Sequence, residues 1–254
     1  DTNNAIAYLE QSLAMMKLIY GDKPHPCIAT SLNNLGNAYK ALGDITKAIT
    51  YYEQNFAMSK LIYGDKPHPD IATTLNNLGN AHNALGDITK AIAYYEQSLA
   101  MRKLIYGDKP HLEIAHSLNN LGGTYKIFGD VTKGIAYHKE SLEMFKLIYG
   151  DKPHPAIAVS LGNLGSAYEA LGDANSAIVY YEQSLAMRRL IYGDKPHPDI
   201  ATTLNNLGVA YDTFGDANKA ITYYEQSLAM RKVRYNNKSR PGVAISLNNL
   251  GCAY

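Results

Sequence analysis

One word recurs through this chain at a fixed interval. "LNNLG" opens at Leu32, Leu75, Leu118, Leu204 and Leu247, and "LGNLG" at Leu161, each copy 43 residues from the next. A period of this size implies units that cannot bury their apolar faces alone and must stack on their neighbours, which overrides the one or two globular domains that length would suggest. One unit reads "HPDIATTLNNLGNAHNALGDITKAIAYYEQSLAMRKLIYGDKP", His68 to Pro110. The expected organisation is a single array over 1–254. A second-helix segment (1–25) comes first, then full units 26–68, 69–111, 112–154, 155–197 and 198–240, then a first-helix segment (241–254). The chain has no initiator Met and starts and stops inside a unit, so it is expected to be a piece of something longer.

The apolar spacing asks for two helices per unit. Ile28, Leu32, Leu35, Tyr39 and Leu42 fall on one helical stripe. "HPD" at His68 to Asp70 opens the first helix, since proline suits the first helical position and an early acid suits the helix dipole. Gly86 ends it near Leu85, and Asp87 is placed to cap the second helix. The inward face of that second helix is Ile88, Ala91, Ile92, Tyr95 and Leu99, while Arg102 and Lys103 bring positive charge to its closing turns. "YGDKPHP", Tyr63 to Pro69, is dense in turn formers and links one hairpin to the next.

Leu32, Leu35, Gly36, Tyr39, Gly43, Ala48 and Tyr52 have the spacings of the tetratricopeptide repeat signature, with leucine where that family often has tryptophan. The chain resembles that family over essentially its whole length. The long second helix, the "LNNL" core and the "HPDIA" entry are most similar to the repeats of kinesin light chains. The resemblance implies an all-α, right-handed α-α superhelical solenoid of helix-turn-helix repeats. Departures are local: His82 for the first-helix tyrosine, Gly134 for the second-helix alanine, His138 for the second-helix tyrosine, Gly162 for an asparagine, and "YNNKSRP" (Tyr235 to Pro241) for the last connector.

At about 100° per residue, Ala29 and Gly36 flank the stripe on one side and Ser31 and Ala38 on the other, leaving Thr30, Asn33, Asn34, Asn37, Lys40 and Ala41 on the outer arc. In tetratricopeptide arrays that arc lines a concave groove. The resemblance therefore places a ligand surface at Asn33, Asn34, Asn37 and Lys40, at Asn76, Asn77, Asn80 and Asn83, and at His116, Asn119, Asn120 and Lys126. It continues through Asn163, Ser166 and Glu169 to Asn205, Asn206 and Asp212. An amide offers donors and an acceptor to a peptide backbone without a charge to desolvate. In carboxylate-clamp members of the family, groove asparagines match Asn34 and Asn37, but the clamp's full basic set is not evident here. Asn34, Asn77, Asn120, Asn163, Asn206 and Asn249 are the same in every unit, which suits a hydrogen-bonded ladder between first helices as well as it suits a ligand. Lys40 and Lys126 precede Glu169 and Asp212 on one row, so a bound segment is expected to carry its acidic part toward the N-terminal half.

Other classes of function find little support. Net charge is +1 with both signs interspersed, so the basic stripe that nucleic-acid binding needs is missing. No phosphate-binding glycine loop, nucleophile elbow, H-E-x-x-H pair or CxxC cluster occurs, and the histidines and acids recur with the repeat instead of converging once. The expectation is a non-enzymatic protein-binding scaffold with no cofactor. His25, His68, His111, His154 and His197 would lie roughly 10 Å apart in stacked hairpins, too far to share a zinc, and read as connector residues with no metal. Tyr94, Tyr95 and Tyr106 read as packing residues. Cys27 and Cys252 read as free thiols, which suits a reducing cytosol and a cytoplasmic protein. No apolar run reaches the roughly 20 residues of a membrane span, and the single sequon at Asn237 does not argue for secretion. The resemblance implies a kinesin-light-chain-like adaptor. The alternative is the sensor or regulatory arm of a larger signalling ATPase or protease, where similar repeats also occur.

The first helix lacks a partner before it and the last lacks one after it. Ile6, Leu9 and Leu13 at one end and Leu247, Leu250 and Tyr254 at the other are therefore expected to be exposed, complementary stripes that support head-to-tail self-association.

Overall fold

The computed structural model describes residues 2–21, 23–107, 109–150, 152–193, 195–234 and 241–254, and every regular element among them is an α-helix. In chain order these are α1 (Thr2–Tyr20), α2 (Pro26–Leu42), α3 (Ile45–Tyr63), α4 (Pro69–Leu85), α5 (Ile88–Tyr106) and α6 (Leu112–Phe128). They are followed by α7 (Val131–Tyr149), α8 (Pro155–Leu171), α9 (Ala174–Tyr192), α10 (Pro198–Phe214), α11 (Ala217–Arg234) and α12 (Pro241–Ala253). Even-numbered helices are the first helices of the repeat and odd-numbered ones the second. Most of the last connector, together with the sequon, lies outside the described residues. The chain folds as two compact units, Asp1–Thr124 and Tyr125–Tyr254. In each, helices pack on their neighbours in sequence: α1 on α2, α3 on α4 and α4 on α5 in the first, α7 through α12 in succession in the second. That nearest-neighbour packing is what makes a helical-hairpin solenoid.

Local chemistry explains where the helices start and stop. Gly43, Gly86, Gly172 and Gly215 sit at φ of 84 to 91°, the left-handed conformation that glycine adopts without a Cβ penalty. There the Gly43 N–H bonds the Lys40 carbonyl and the Asp44 N–H the Tyr39 carbonyl, closing the first helix. Asp44 and Asp87 then accept the backbone N–H of Lys47 and Lys90 as caps of the second helix, as the sequence led us to expect.

The histidines of the connectors have a function in the fold that the sequence did not disclose. His68 is the N-cap of α4: its Nδ1 accepts the Asp70 backbone N–H at 3.2 Å. Its ring stacks on Tyr63 with centroids 3.4 Å apart. His25, His111, His154 and His197 repeat both contacts, on Tyr20, Tyr106, Tyr149 and Tyr192. Histidine stands here in the role usually given to Ser, Thr, Asp or Asn, and the stacked tyrosine holds its ring in place.

The inward stripe of α2 is buried from Ile28 through Leu32 and Leu35 to Tyr39, but Leu42 is 45 % exposed. Leu42 is the last residue of α2, directly before the C-cap Gly43. Ile88 is likewise only half-buried, at the first position of α5, while Ala91, Ile92, Tyr95 and Leu99 are buried.

One further expectation gains detail and another needs correction. Arg102 lies in the closing turns of α5, as expected, and is buried there. It is 3 % exposed, its Nη2 pairs with Glu113 Oε2 at 2.5 Å, and its Nη1 donates to the Glu113 carbonyl and Ser117 Oγ. Ile6 and Leu13 are not an exposed stripe, because α2 covers them, and Leu9 is half-buried. At the other end Leu247 and Tyr254 are exposed and Leu250 is half-buried. Cys27 and Cys252 are free.

Candidate functional site

The outer arc of the first helices is built on a repeated glycine–tyrosine contact. A Cβ on Gly36 would lie 2.4 Å from Tyr52 Cε1, and one on Gly208 2.4 Å from Tyr224 Cε1. Gly79 and Gly165 make the same allowance for Tyr95 and Tyr181. Each tyrosine ring therefore runs buried directly against the first helix and brings its hydroxyl out at that helix's polar arc. Tyr52 donates to Asn37 Oδ1 at 2.7 Å and Tyr95 to Asn80 Oδ1 at 2.8 Å. Tyr181 donates to Glu169 Oε2 at 2.8 Å. Burial pushes the phenols of Tyr52 and Tyr224 up to about 12, and those of Tyr95 and Tyr181 further, so these hydroxyls stay protonated donors at any working pH.

A second set of bonds ties successive first helices together. In the first unit Asn77 Nδ2 donates to Asn33 Oδ1 at 2.9 Å and Asn120 Nδ2 to Asn76 Oδ1 at 3.1 Å. In the second, Asn249 Nδ2 donates to Asn205 Oδ1 at 3.2 Å. The asparagine pair that the sequence left open thus forms rungs, the later member of one pair reaching the earlier member of the pair before it. Replacing Asn77 and Asn120 together with alanine should remove two rungs and cost about 1 kcal/mol each. Thermal denaturation checks this, and an unchanged melting temperature would argue against the ladder.

The other residues named from the sequence fall as follows. Asn34, His116 and Asp212 are exposed, and Lys40, Asn119, Asn163 and Asn206 are half-buried. Asn83 is half-buried, and its Oδ1 is covered with no hydrogen-bond partner. Lys126 donates to Ser166 Oγ at 2.8 Å, so this lysine is already engaged with a neighbouring first helix. Thr30, Asn33, Asp70 and Thr73 line a cleft of about 190 Å³ between α2 and α4. A larger cleft, about 580 Å³, lies elsewhere, between α7 and α9.

Sequence reasoning missed a polar layer under this arc. Ser98 donates to the Ala72 carbonyl at 2.7 Å, and Ser184 and Ser227 do the same to Ala158 and Ala201. Asn55 Nδ2 donates to Thr74 Oγ1 at 2.8 Å. The signal was present in the recurring serine of "EQS", a polar residue held on an apolar face in unit after unit.

A stack of capped hairpins at a 43-residue period, with a glycine of the first helix opposite a buried tyrosine of the second in four of the described hairpins, fits one repeat family. The tetratricopeptide repeat model matches residues 1–60, 27–104, 113–190 and 191–232. The chain belongs to the tetratricopeptide repeat family. No curated protein matches it in sequence. Among solved structures it is similar to BtubC (BKLC) from P. vanneervenii, with a TM-score of 0.79 and 23% identity over 95% of each chain. It is also similar to a kinesin light chain candidate of Podosopora anserina with nearly identical TPR-like repeats, with a TM-score of 0.71 and 23% identity over 83% of this chain and 98% of that one. The apo form of the quorum sensor NprR from B. thuringiensis gives a TM-score of 0.70 at 18% identity, covering 96% of this chain and 65% of that one. At these identities the likeness is one of fold, a tetratricopeptide array. No described helix is long and apolar enough to cross a membrane.

Proposed function

We propose that this tetratricopeptide array is a non-enzymatic scaffold that holds a peptide segment of a protein partner on the outer arc of its first helices, in the manner of a cytoplasmic adaptor. Proteins built from such repeats generally mediate protein–protein interaction. The observation that carries the reading is the anchoring of the arc. Asn37, Asn80 and Glu169 are each held by a buried tyrosine hydroxyl, and Asn33 and Asn76 by rungs. Polar groups fixed before a ligand arrives lose little conformational entropy when it binds. Asn34 and Lys40 of α2 then offer exposed or half-exposed amide and charge beside that fixed framework.

A sensor arm that responds to a small peptide is the second reading, and the likeness to the quorum sensor NprR favours it. Both readings share the surface. Panning a random peptide display library on the chain, then measuring the selected peptides on Asn34→Ala combined with Lys40→Glu, tests it. We expect at least a tenfold loss of affinity, salt-dependent for acidic peptides, with the melting temperature unchanged. Selected peptides that bind the double variant as tightly as the parent would refute the assignment of this face.

A further inference from the structure

The junction of α7, α8 and α9 breaks a charge rule that the other units keep. Glu10, Glu53, Glu96, Glu182 and Glu225 occupy one position of the second helix, and in this unit that position is Lys139. At the α1–α2 and α9–α10 junctions the glutamate accepts a hydrogen bond from the following first helix. Tyr39 donates to Glu10 Oε1 at 2.7 Å, and Tyr211 to Glu182 Oε1 at 2.9 Å. Tyr168 stands in the same place and meets an ammonium instead, with Lys139 Nζ 5.5 Å from its ring centroid. Hydrogen bonding to the Tyr168 hydroxyl holds the Lys139 ammonium above its ordinary range, so this cation persists.

The facing wall has changed too. Lys47, Lys90, Lys133 and Lys219 give way to Ser176, whose hydroxyl turns to Asp173 Oδ2 at 2.6 Å. Both changed positions line the cleft of about 580 Å³ between α7 and α9. Its walls are Leu142, Val179 and the tyrosines Tyr168 and Tyr180, stacked with centroids 5.3 Å apart. Glu143, a carboxylate in its lining, is paired with Lys146 at 3.0 Å, which leaves Lys139 as the cation facing Tyr168. The corresponding cleft between α9 and α11, about 480 Å³, keeps its own Glu182 and Lys219.

We propose that the α7–α9 cleft binds a carboxylate supplied by another molecule. The incoming group takes the seat that Glu10 and Glu182 fill in their own junctions, accepting a hydrogen bond from the Tyr168 hydroxyl and pairing with Lys139. Leu142 and Val179 pack against its carbon stem. The site lies on the second-helix side and is independent of peptide binding on the first-helix arc.

The experiment labels the methyl groups of leucine and valine and follows Leu142 and Val179 by NMR. Three probes are titrated: N-acetylglutamate α-methylamide, its neutral isostere N-acetylglutamine methylamide, and a pentapeptide with one glutamate between leucines. We expect the glutamate probes to shift both methyls and the glutamine probe to bind at least tenfold more weakly. Lys139→Glu restores the residue that the five equivalent positions carry, so it should fold, refill the seat and weaken the glutamate probes at least tenfold. Tighter binding of the pentapeptide than of the monomer identifies a polypeptide as the source of the carboxylate, and equal binding a small acid. Methyl shifts that do not distinguish glutamate from glutamine, or that survive Lys139→Glu, overturn the proposal, as does the absence of any shift.

Discussion

Alanine at Gly36 is expected to destabilise the fold by about 2 to 3 kcal/mol, although the same change in an ordinary helix interior stabilises by roughly 0.5 to 1 kcal/mol. The new Cβ would meet Tyr52 at 2.4 Å, and that ring is fully buried among Leu32, Leu35, Tyr39 and Ala48, with no room to retreat. The sign should therefore depend on the ring. In a Tyr52→Leu background, which removes the clash, Gly36→Ala should become neutral or stabilising. Urea unfolding of the parent, both single variants and the double variant closes the cycle. If alanine destabilises equally in both backgrounds, the glycine is not there for the tyrosine. Tyr52 also anchors Asn37, so a displaced ring should loosen the polar arc along with the core.

His138 supplies the other large effect. It replaces the tyrosine found at positions 52, 95, 181 and 224, is 2 % exposed, and has a covered Nδ1 without a partner. Burial, with a smaller contribution from the Lys126 charge, lowers its pKa from 6.5 to about 4. Between those values the unfolded chain binds a proton that the folded chain refuses. Stability from this residue is thus full above pH 6.5, falls as pH drops toward 4, and is flat below. The loss amounts to about 3 kcal/mol. His138→Tyr removes the titrating group and restores the residue of the other units. Other groups titrate in the same range, so the quantity to follow is the stability difference between variant and parent. It should grow by about 3 kcal/mol from pH 7 to pH 4. A difference that does not change with pH would show that His138 takes up its proton in the fold.

Much of the architecture could be read from residues in order. Glycine after Leu85 and aspartate after the glycine mark the end of one helix and the start of the next, because both act within a few residues of themselves. What the sequence hid were contacts between distant residues. Arg102 looked like a charge for the helix end because its closeness to Glu113 and Ser117 exists only once α6 has packed beside α5. The histidine caps were hidden for a different reason. Histidine is a rare cap, and the stacked tyrosine that orients it lies five residues earlier, across the turn. On the candidate face, the periodicity placed Asn37 and Asn80 on the arc but could not show that tyrosine hydroxyls hold them from beneath. The departures from the pattern were legible as letters, and their consequences were not. Lys139 for glutamate and His138 for tyrosine are adjacent in the chain, yet one reverses the charge in a cleft and the other buries a proton-refusing ring.

The asparagine rungs impose a grammar on how such a chain can lengthen. In each described rung the donor comes from the later hairpin and the acceptor from the earlier one, so a hairpin that keeps both asparagines carries both halves of a joint. The α8–α9 hairpin, with Gly162 at the acceptor position, carries only the donor half. A duplicated stretch of 43 residues that holds an intact asparagine pair, cut anywhere in the repeat, brings one new donor and one new acceptor and can be spliced in without orphaning either. A stretch of any other length shifts the donor off the arc by about 100° for each residue out of step. Growth and shrinkage by whole repeats is therefore nearly silent to the fold, while the residues that vary from one repeat to the next move along the array as a block.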